Sequence, residues 1–262
     1  ATEAATTEAA GDTTAAAEGT VKTPSGKFTV GFDQEFPPMG FVGDDGEFTG
    51  FDLDLAKEVA SRLGLEFVPQ PINWDAKDME LESGNIDCIW NGFTMQGRED
   101  AYTWVGPYMA NNQVFVVNAD SDIASKADLA GKAVEVQKDS SGLAALQDDA
   151  ELSASFGSMT EVADYNTALM DLESGACDAV CMDSIVAGYQ IKSSGKDMKI
   201  LDDTLSAEEY GIGFKKGNTE LADQVKATLD EMWADGTFTK IATAAAENYD
   251  APELADMICY GN

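Results

Sequence analysis

A chain of 262 residues with 44% hydrophobic residues is long enough for one large or two small cored domains. Its 16 basic and 48 acidic residues leave a net charge of −32, which repels nucleic-acid phosphates and anionic membrane surfaces. Histidine is absent, which removes Ser-His-Asp and Cys-His catalysis and the common zinc sites; no apolar run reaches the ~18 residues of a membrane span, and no cofactor is expected.

Residues 1–24, rich in Ala, Thr and Glu without hydrophobic periodicity, read as a disordered tether. They lack the basic start and apolar core of a signal peptide. Apolar alternation from Lys27 to Phe32 predicts a strand, followed by a loop over 33–41 and a turn at Asp44-Asp45-Gly46. Asp52 is placed to cap a helix with Leu55, Val59 and Leu63 on one stripe, ended by Gly64. Leu65 to Val68 reads as the next strand. A loop with Asn73 and Trp74 leads to a helix ending at Gly84. A buried strand from Ile86 to Trp90 then opens into a polar loop carrying Asn91, Gly92, Thr94 and Arg98.

That helix-Gly-strand pattern returns some ninety residues on. Leu81-Glu82-Ser83-Gly84 aligns with Leu172-Glu173-Ser174-Gly175, and Asp87 then falls on Asp178. Between the copies, Gln113 to Val117 predicts a strand crossing to a second unit. There follow a short helix over 125–129, a strand over Ala133–Gln137 and a polar turn at 138–142 opening another helix. A weak strand near Phe156, a helix from about Val162 to Leu172, a strand from Asp178 to Met182, a helix from Ser184 and a strand near Ile200 complete the unit. Glu209 to Phe214 crosses back, two helices after Asn218 and Phe238 close the first unit, and the last dozen residues are a tail. Such alternation predicts an α/β fold with parallel strands. Its two lobes comprise residues 25–110 with 210–262, and 111–209; the crossings fall near 109–114 and 207–211 and flank a cleft. Cys177 and Cys181, four residues apart on one strand (roughly 13 Å), are too distant for a disulfide and read as small buried apolar residues; a pair involving Cys259 stays open.

The loops after the strands hold the candidate site residues, because ligands of such sheets bind beyond the carboxyl ends of strands. Arg98 offers a guanidinium fork for a carboxylate; its alternative is a surface pair with Glu99 or Asp100. Thr94 and Gly92 add a hydroxyl and close backbone approach, or simply make a turn. Ser140 and Ser141 start a helix whose free amides favour an anion, a role compatible with plain N-capping. Asp183 either holds an ammonium or caps the helix from Ser184. Phe36 and Trp74 either sandwich a ligand or belong to the lobe core, and Asp33 and Gln137 are placed to read a polar side chain. Together these groups suit an α-amino acid held from both sides, which favours the closed form.

The sequence resembles the extracellular solute-binding proteins of ATP-binding-cassette (ABC) importers for polar amino acids, of the type II periplasmic-binding-protein fold, from residue 27 to about 246. The resemblance rests on motifs in order: Asp33-x-x-Phe36-Pro37-Pro38, Gly50-Phe51-Asp52-Leu53-Asp54-Leu55, Gly84-x-x-Asp87, then Gly92-x-Thr94 and Arg98. Gly106-Pro107-Tyr108, Asp128-Leu129-x-Gly131-Lys132, Val136-Gln137-x-x-Ser140-Ser141, Cys177-Asp178-Ala179-Val180-x-x-Asp183, Tyr210-Gly211-Ile212-Gly213-Phe214 and Asp235-Gly236-Thr237 continue it. It implies Arg98 as carboxylate clamp with Thr94 and the Ser141 amide, and Asp183 as ammonium acceptor with the Gly92 region. Phe36 and Trp74 would flank the ligand, and Asp33 and Gln137 would set selectivity. Three departures stand out. The stretch from Thr94 to Arg98 is one residue short, which leaves Asn91 and Gly92 as alternatives for one position. Asp139 replaces the usual turn glycine before Ser140. The tail around Cys259 has no counterpart.

The resemblance implies a non-enzymatic monomer that delivers a polar amino acid, glutamine or cystine by preference, to an ABC permease. The tether resembles that of a Gram-positive lipoprotein, with a lipidated cysteine ahead of Ala1. The alternatives are a prephenate or arogenate dehydratase on the same fold, with Asp183 or Glu35 as general acid, and a sensor ectodomain, whose membrane segment should follow Asn262.

Overall fold

The computed structural model describes residues 26–261, so the expected tether over residues 1–24 lies outside it. Strand β1 (Lys27–Phe32) is buried along most of its length because parallel neighbours flank it on both sides. The segment expected as a loop is instead a small antiparallel sheet of β2 (Glu35–Phe36), β3 (Gly40–Val42) and β4 (Phe48–Thr49), whose strands are too short for periodicity to reveal. Helix α1 (Phe51–Arg62) is capped by Gly50, not Asp52. Gly50 sits at φ 137°, and a Cβ there would overlap the Met39 carbonyl. Asp52 therefore lies inside the first turn, fully buried.

After β5 (Glu66–Pro71), a 3-10 turn at Trp74–Ala76 runs straight into α2 (Lys77–Ser83). Strand β6 (Cys88–Thr94) continues four residues beyond its expected end, so Asn91, Gly92 and Thr94 are strand residues. The 17-residue β7 (Tyr102–Asn118) leads to β8 (Ala133–Gln137), α3 (Ser141–Asp148) and α4 (Ala150–Ser155). The weak strand expected near Phe156 forms slightly later, as β9 (Ser158–Val162), and α5 (Tyr165–Ser174) follows. Then come β10 (Ala179–Asp183), α6 (Ser184–Ser194), β11 (Met198–Ile200) and β12 (Ser206–Lys215). Helices α7 (Thr219–Ala234), α8 (Thr237–Asn248) and α9 (Glu253–Asp256) end the chain.

The main sheet has the order β5-β1-β6-β12-β7-β10-β8-β9, with β11 on β7. The outer trios β5-β1-β6 and β10-β8-β9 are parallel, while β12 and β7 pair antiparallel from Tyr102↔Lys215 to Gln113↔Ser206 and join them. Helices cover both trios, giving two α/β lobes that share two long strands. The repeated segment is repeated in three dimensions. Gly84 ends α2 at φ 76°, ψ 19° and Gly175 ends α5 at φ 77°, ψ 18°, left-handed caps that favour glycine. Asp87 takes the Thr29 amide at 2.7 Å while its own amide donates to the Thr29 carbonyl at 2.8 Å. Asp178 does the same with Ala133, both at 2.8 Å. Each aspartate thus clamps the neighbouring parallel strand near its start.

The C-terminal segment is docked rather than trailing. The Ala110 amide donates to the Met257 carbonyl at 2.7 Å, the Cys259 amide to the Tyr108 carbonyl at 3.0 Å, and Tyr260 stacks on Phe238 at 5.3 Å. The last residues therefore lie along β7 where it passes between the lobes. All four cysteines are free thiols, with Cys88, Cys177 and Cys181 buried and Cys259 half-buried. Among the described residues no helix is long and apolar enough to cross a membrane.

Candidate functional site

The lobes meet over one small cavity. Nine of the eleven candidate residues line it: Phe36, Trp74, Gly92, Thr94, Arg98, Gln137, Ser140, Ser141 and Asp183. The space left between them is about 10 Å³, room for roughly one water molecule, so the lobes must part to admit a ligand.

At one end β6 carries a single left-handed residue two positions before its last. Gly92 adopts φ 55°, and a Cβ there would meet Phe36 at 2.7 Å. Its amide donates to the buried Asp52 carboxylate at 2.6 Å, and the Tyr108 hydroxyl donates to the other oxygen at 2.8 Å. Burial pushes the Asp52 carboxyl up to about 7. Two residues on, the Thr94 hydroxyl donates to the Ser141 hydroxyl across the cleft at 3.1 Å. Arg98 lies over the Phe93 ring at 5.2 Å, and its guanidinium donates to the carbonyls of Thr94 and Asp139, each at 3.2 Å. Among the described residues it has no carboxylate within 4.0 Å, so the expected alternative, pairing with Glu99 or Asp100, is not the arrangement found. The start of α3 faces the same space. Ser140 caps it by accepting the Leu143 amide at 3.1 Å, and the first-turn amides have no partner within the helix.

At the other end Asp183 closes β10, 3% exposed. Its side chain makes no capping bond to α6. Instead it accepts the Tyr165 hydroxyl at 2.9 Å, the Tyr210 hydroxyl at 2.7 Å and the Asn111 amide at 2.9 Å. Burial, and then the nearby Glu208 carboxylate, push its carboxyl up to about 7. A cation and an acid thus face one cavity, the charge pattern of a zwitterion.

The remaining candidates divide. Phe36 stacks loosely on Tyr165 at 5.8 Å, and Trp74 meets Phe93 edge-on at 5.5 Å. The Gln137 side-chain amide donates to Asp33 across the cleft at 2.7 Å; Asp33 sits on the outer side, lining an open groove, and burial raises its carboxyl to about 6. Asn91 does not line the cavity. It is buried against Gly40 with neither side-chain polar atom hydrogen-bonded, so of the two register alternatives Gly92 is the one at the cavity.

Several residues around the site carry no local sequence signal. Tyr165, Asn111 and Gln113 become partners of the site only through long-range pairing; Gln113 donates to Ser141 at 3.1 Å and to Glu208 at 2.9 Å. Tyr210 and Asp52 at least fall inside recognisable motifs. Lys77 has the sequence context of an ordinary surface lysine but is 1% exposed.

Comparison with known proteins agrees with this geometry. Residues 28–245 match the bacterial extracellular solute-binding proteins, family 3, and the chain belongs to that family. It is 29% identical to the L-cystine-binding protein TcyJ of Escherichia coli over 223 residues, 83% of this chain and 81% of that one. It is 31% identical to the L-cystine-binding protein TcyA of Bacillus subtilis, over 83% of this chain and 80% of the relative. Among solved structures, an ABC uptake transporter substrate-binding protein of Streptococcus pneumoniae with bound histidine superposes with TM-score 0.80 at 33% identity, covering 84% of this chain and 92% of that one. An ancestral arginine-binding protein bound to glutamine gives TM-score 0.76 at 36% identity, covering 82% and 96%. The family is one of binding proteins, so the dehydratase alternative is not favoured.

Proposed function

We infer that the cavity receives a polar α-amino acid, which the protein, a monomer, delivers to an ABC permease. The observation that carries this reading is that Arg98 and Asp183 line one space between the lobes, each from a different lobe. Arg98, the Thr94 hydroxyl and the first-turn amides of α3 hold the carboxylate. Asp183, with the Gly92 region, accepts the ammonium. Phe36 and Trp74 flank the side chain, which runs toward the Asp33–Gln137 bond. The closing bodies are residues 25–110 with 210–262, and 111–209.

Glutamine or cystine is the favoured ligand. Two relatives are named for L-cystine, and an ancestral neighbour was solved with glutamine. A panel of amino acids including cystine, read by thermal unfolding, tests the claim. A ligand at ~100 times its dissociation constant adds about 2.7 kcal/mol; no shift with any member would overturn the reading. The family is extracellular. We place the protein on the outer face of a Gram-positive membrane through a lipid anchor, a reading supported by the Ala-, Thr- and Glu-rich composition of residues 1–24. Absence of radiolabelled palmitate incorporation in producing cells would refute the anchor.

A further inference from the structure

Lys77 is the most deeply buried cation of the described chain with a partner across the cleft. Its side chain is 2% exposed, its ammonium lies 5.1 Å from the Trp74 ring centroid, and it contacts the Asp139 carboxylate and, at 3.4 Å, the Asp139 carbonyl. Lys77 opens α2 in one lobe, and Asp139 sits between β8 and α3 in the other. Asp139 occupies φ 55°, a conformation that disfavours a side chain other than Gly, Asn or Asp. Neither residue lines the ligand cavity. In this arrangement the ammonium has little access to water, and burial pulls its pKa below the ordinary lysine value while Asp139 opposes that.

We propose that Lys77 and Asp139 form a latch across the cleft, a pair of positioning residues that stabilises the closed form and sets how long the ligand stays. In the closed form Asp139 compensates a cation that is otherwise nearly dry; in the open form water does so, and Asp139 is not needed. Deleting the carboxylate therefore penalises closure alone. The second ion pair across the cleft, Lys138 with Asp75 at 3.3 Å, differs in kind: both side chains are about half exposed, and such pairs contribute little. The Asp139 side chain also keeps 53% exposure, so the effect is expected near tenfold rather than the hundredfold or more of a sealed pair.

This proposal rests on the amino-acid-binding reading, and its test separates the two. Asp139→Gly keeps the backbone, because glycine favours this φ, and keeps the carbonyl that Arg98 contacts. Lys77→Met keeps the apolar stem on Trp74. The probes are L-cystine, L-glutamine, L-arginine and L-histidine, with binding kinetics on wild type and variants and small-angle scattering of the ligand-free proteins. For each probe that binds wild type, Asp139→Gly should raise Kd roughly tenfold through koff, with kon within about threefold, whereas Lys77→Met, which leaves no dry cation to compensate, should stay within about threefold of wild type. The ligand-free Asp139→Gly protein should have the larger radius of gyration. Lys138→Ala should leave Kd within about twofold. Unchanged koff and unchanged scattering in Asp139→Gly would overturn the latch. If wild type binds none of these four probes, the scattering comparison alone decides the latch, and the full amino-acid panel decides the binding reading.

Discussion

Asp183 and Glu208 share one donor: the Asn111 side-chain amide donates to Asp183 at 2.9 Å and to Glu208 at 2.7 Å. Burial, and then the neighbouring Glu208 carboxylate, hold Asp183 up to about 7. Asp52 is held at about 7 as well. For both, the folded pKa exceeds the unfolded value of about 3.9, so the folded state binds more protons between the two. Their stabilising contribution is full below about pH 4 and is lost as pH rises through about 7. The ligand-free protein should therefore melt at higher temperature at pH 5.5 than at 7.5. Asp52→Asn and Asp183→Asn should each flatten that slope; melting curves across the range decide it. Amino-acid affinity should run the other way, rising through pH 7, because an ammonium needs the charged Asp183.

Arg98→Ala and Asp183→Ala should each abolish measurable binding, a loss of at least about a hundredfold, since each removes a charge-assisted anchor contributing ~1.5–3 kcal/mol and leaves a ligand charge buried unpaired. Both proteins should stay folded by circular dichroism. Arg98→Lys should recover only part of the affinity, because an ammonium lacks the planar fork. Retained affinity by calorimetry in either alanine variant would reassign the site.

Gly50 and Gly92 invite a graded comparison. A Cβ at Gly92 meets side-chain carbons of Phe36 at 2.7 Å and Tyr210 at 3.1 Å, which can yield. At Gly50 it meets the backbone of Met39, its carbonyl carbon at 2.6 Å, which cannot. Gly92→Ala should cost roughly 1–3 kcal/mol and weaken binding, while Gly50→Ala should cost more, by urea denaturation.

The clamps made by Asp87 and Asp178 provide an internal control, the same backbone bond in two settings. Asp87 is half-buried and Asp178 exposed. Asp87→Ala should cost about 1–2 kcal/mol because it leaves the Thr29 amide poorly hydrated, and Asp178→Ala less than about 1 kcal/mol. The two sites lie in separate lobes, so the double variant should sum them within about 0.5 kcal/mol.

The lobe architecture was legible because its longer helices and buried strands carry strong periodicity, and the repeated Leu-Glu-Ser-Gly unit marked two equivalent helix ends. The small β2-β3-β4 sheet was hidden because strands of two or three residues show no alternation. Asp52 misled because an aspartate just ahead of an apolar stripe looks like a cap, yet Gly50 had already turned the chain. The choice between Asn91 and Gly92 depended on the backbone twist at Gly92, which residue spacing cannot report. The cation of Lys77 and the hydroxyls of Tyr165 and Tyr210 were unreadable for one reason: their partners lie far along the chain, and only closure of the fold brings them together.

The C-terminal residues that run along β7 have a practical corollary. Cys259 is the half-buried thiol of the four, while Cys88, Cys177 and Cys181 are sealed inside. Of the four thiols, Cys259 is thus the one a maleimide dye should reach first, beside the strand that both lobes share, although burial raises its pKa and calls for labelling at alkaline pH. A fluorophore there would sense lobe movement from behind the cleft, without an engineered cysteine and without touching the ligand.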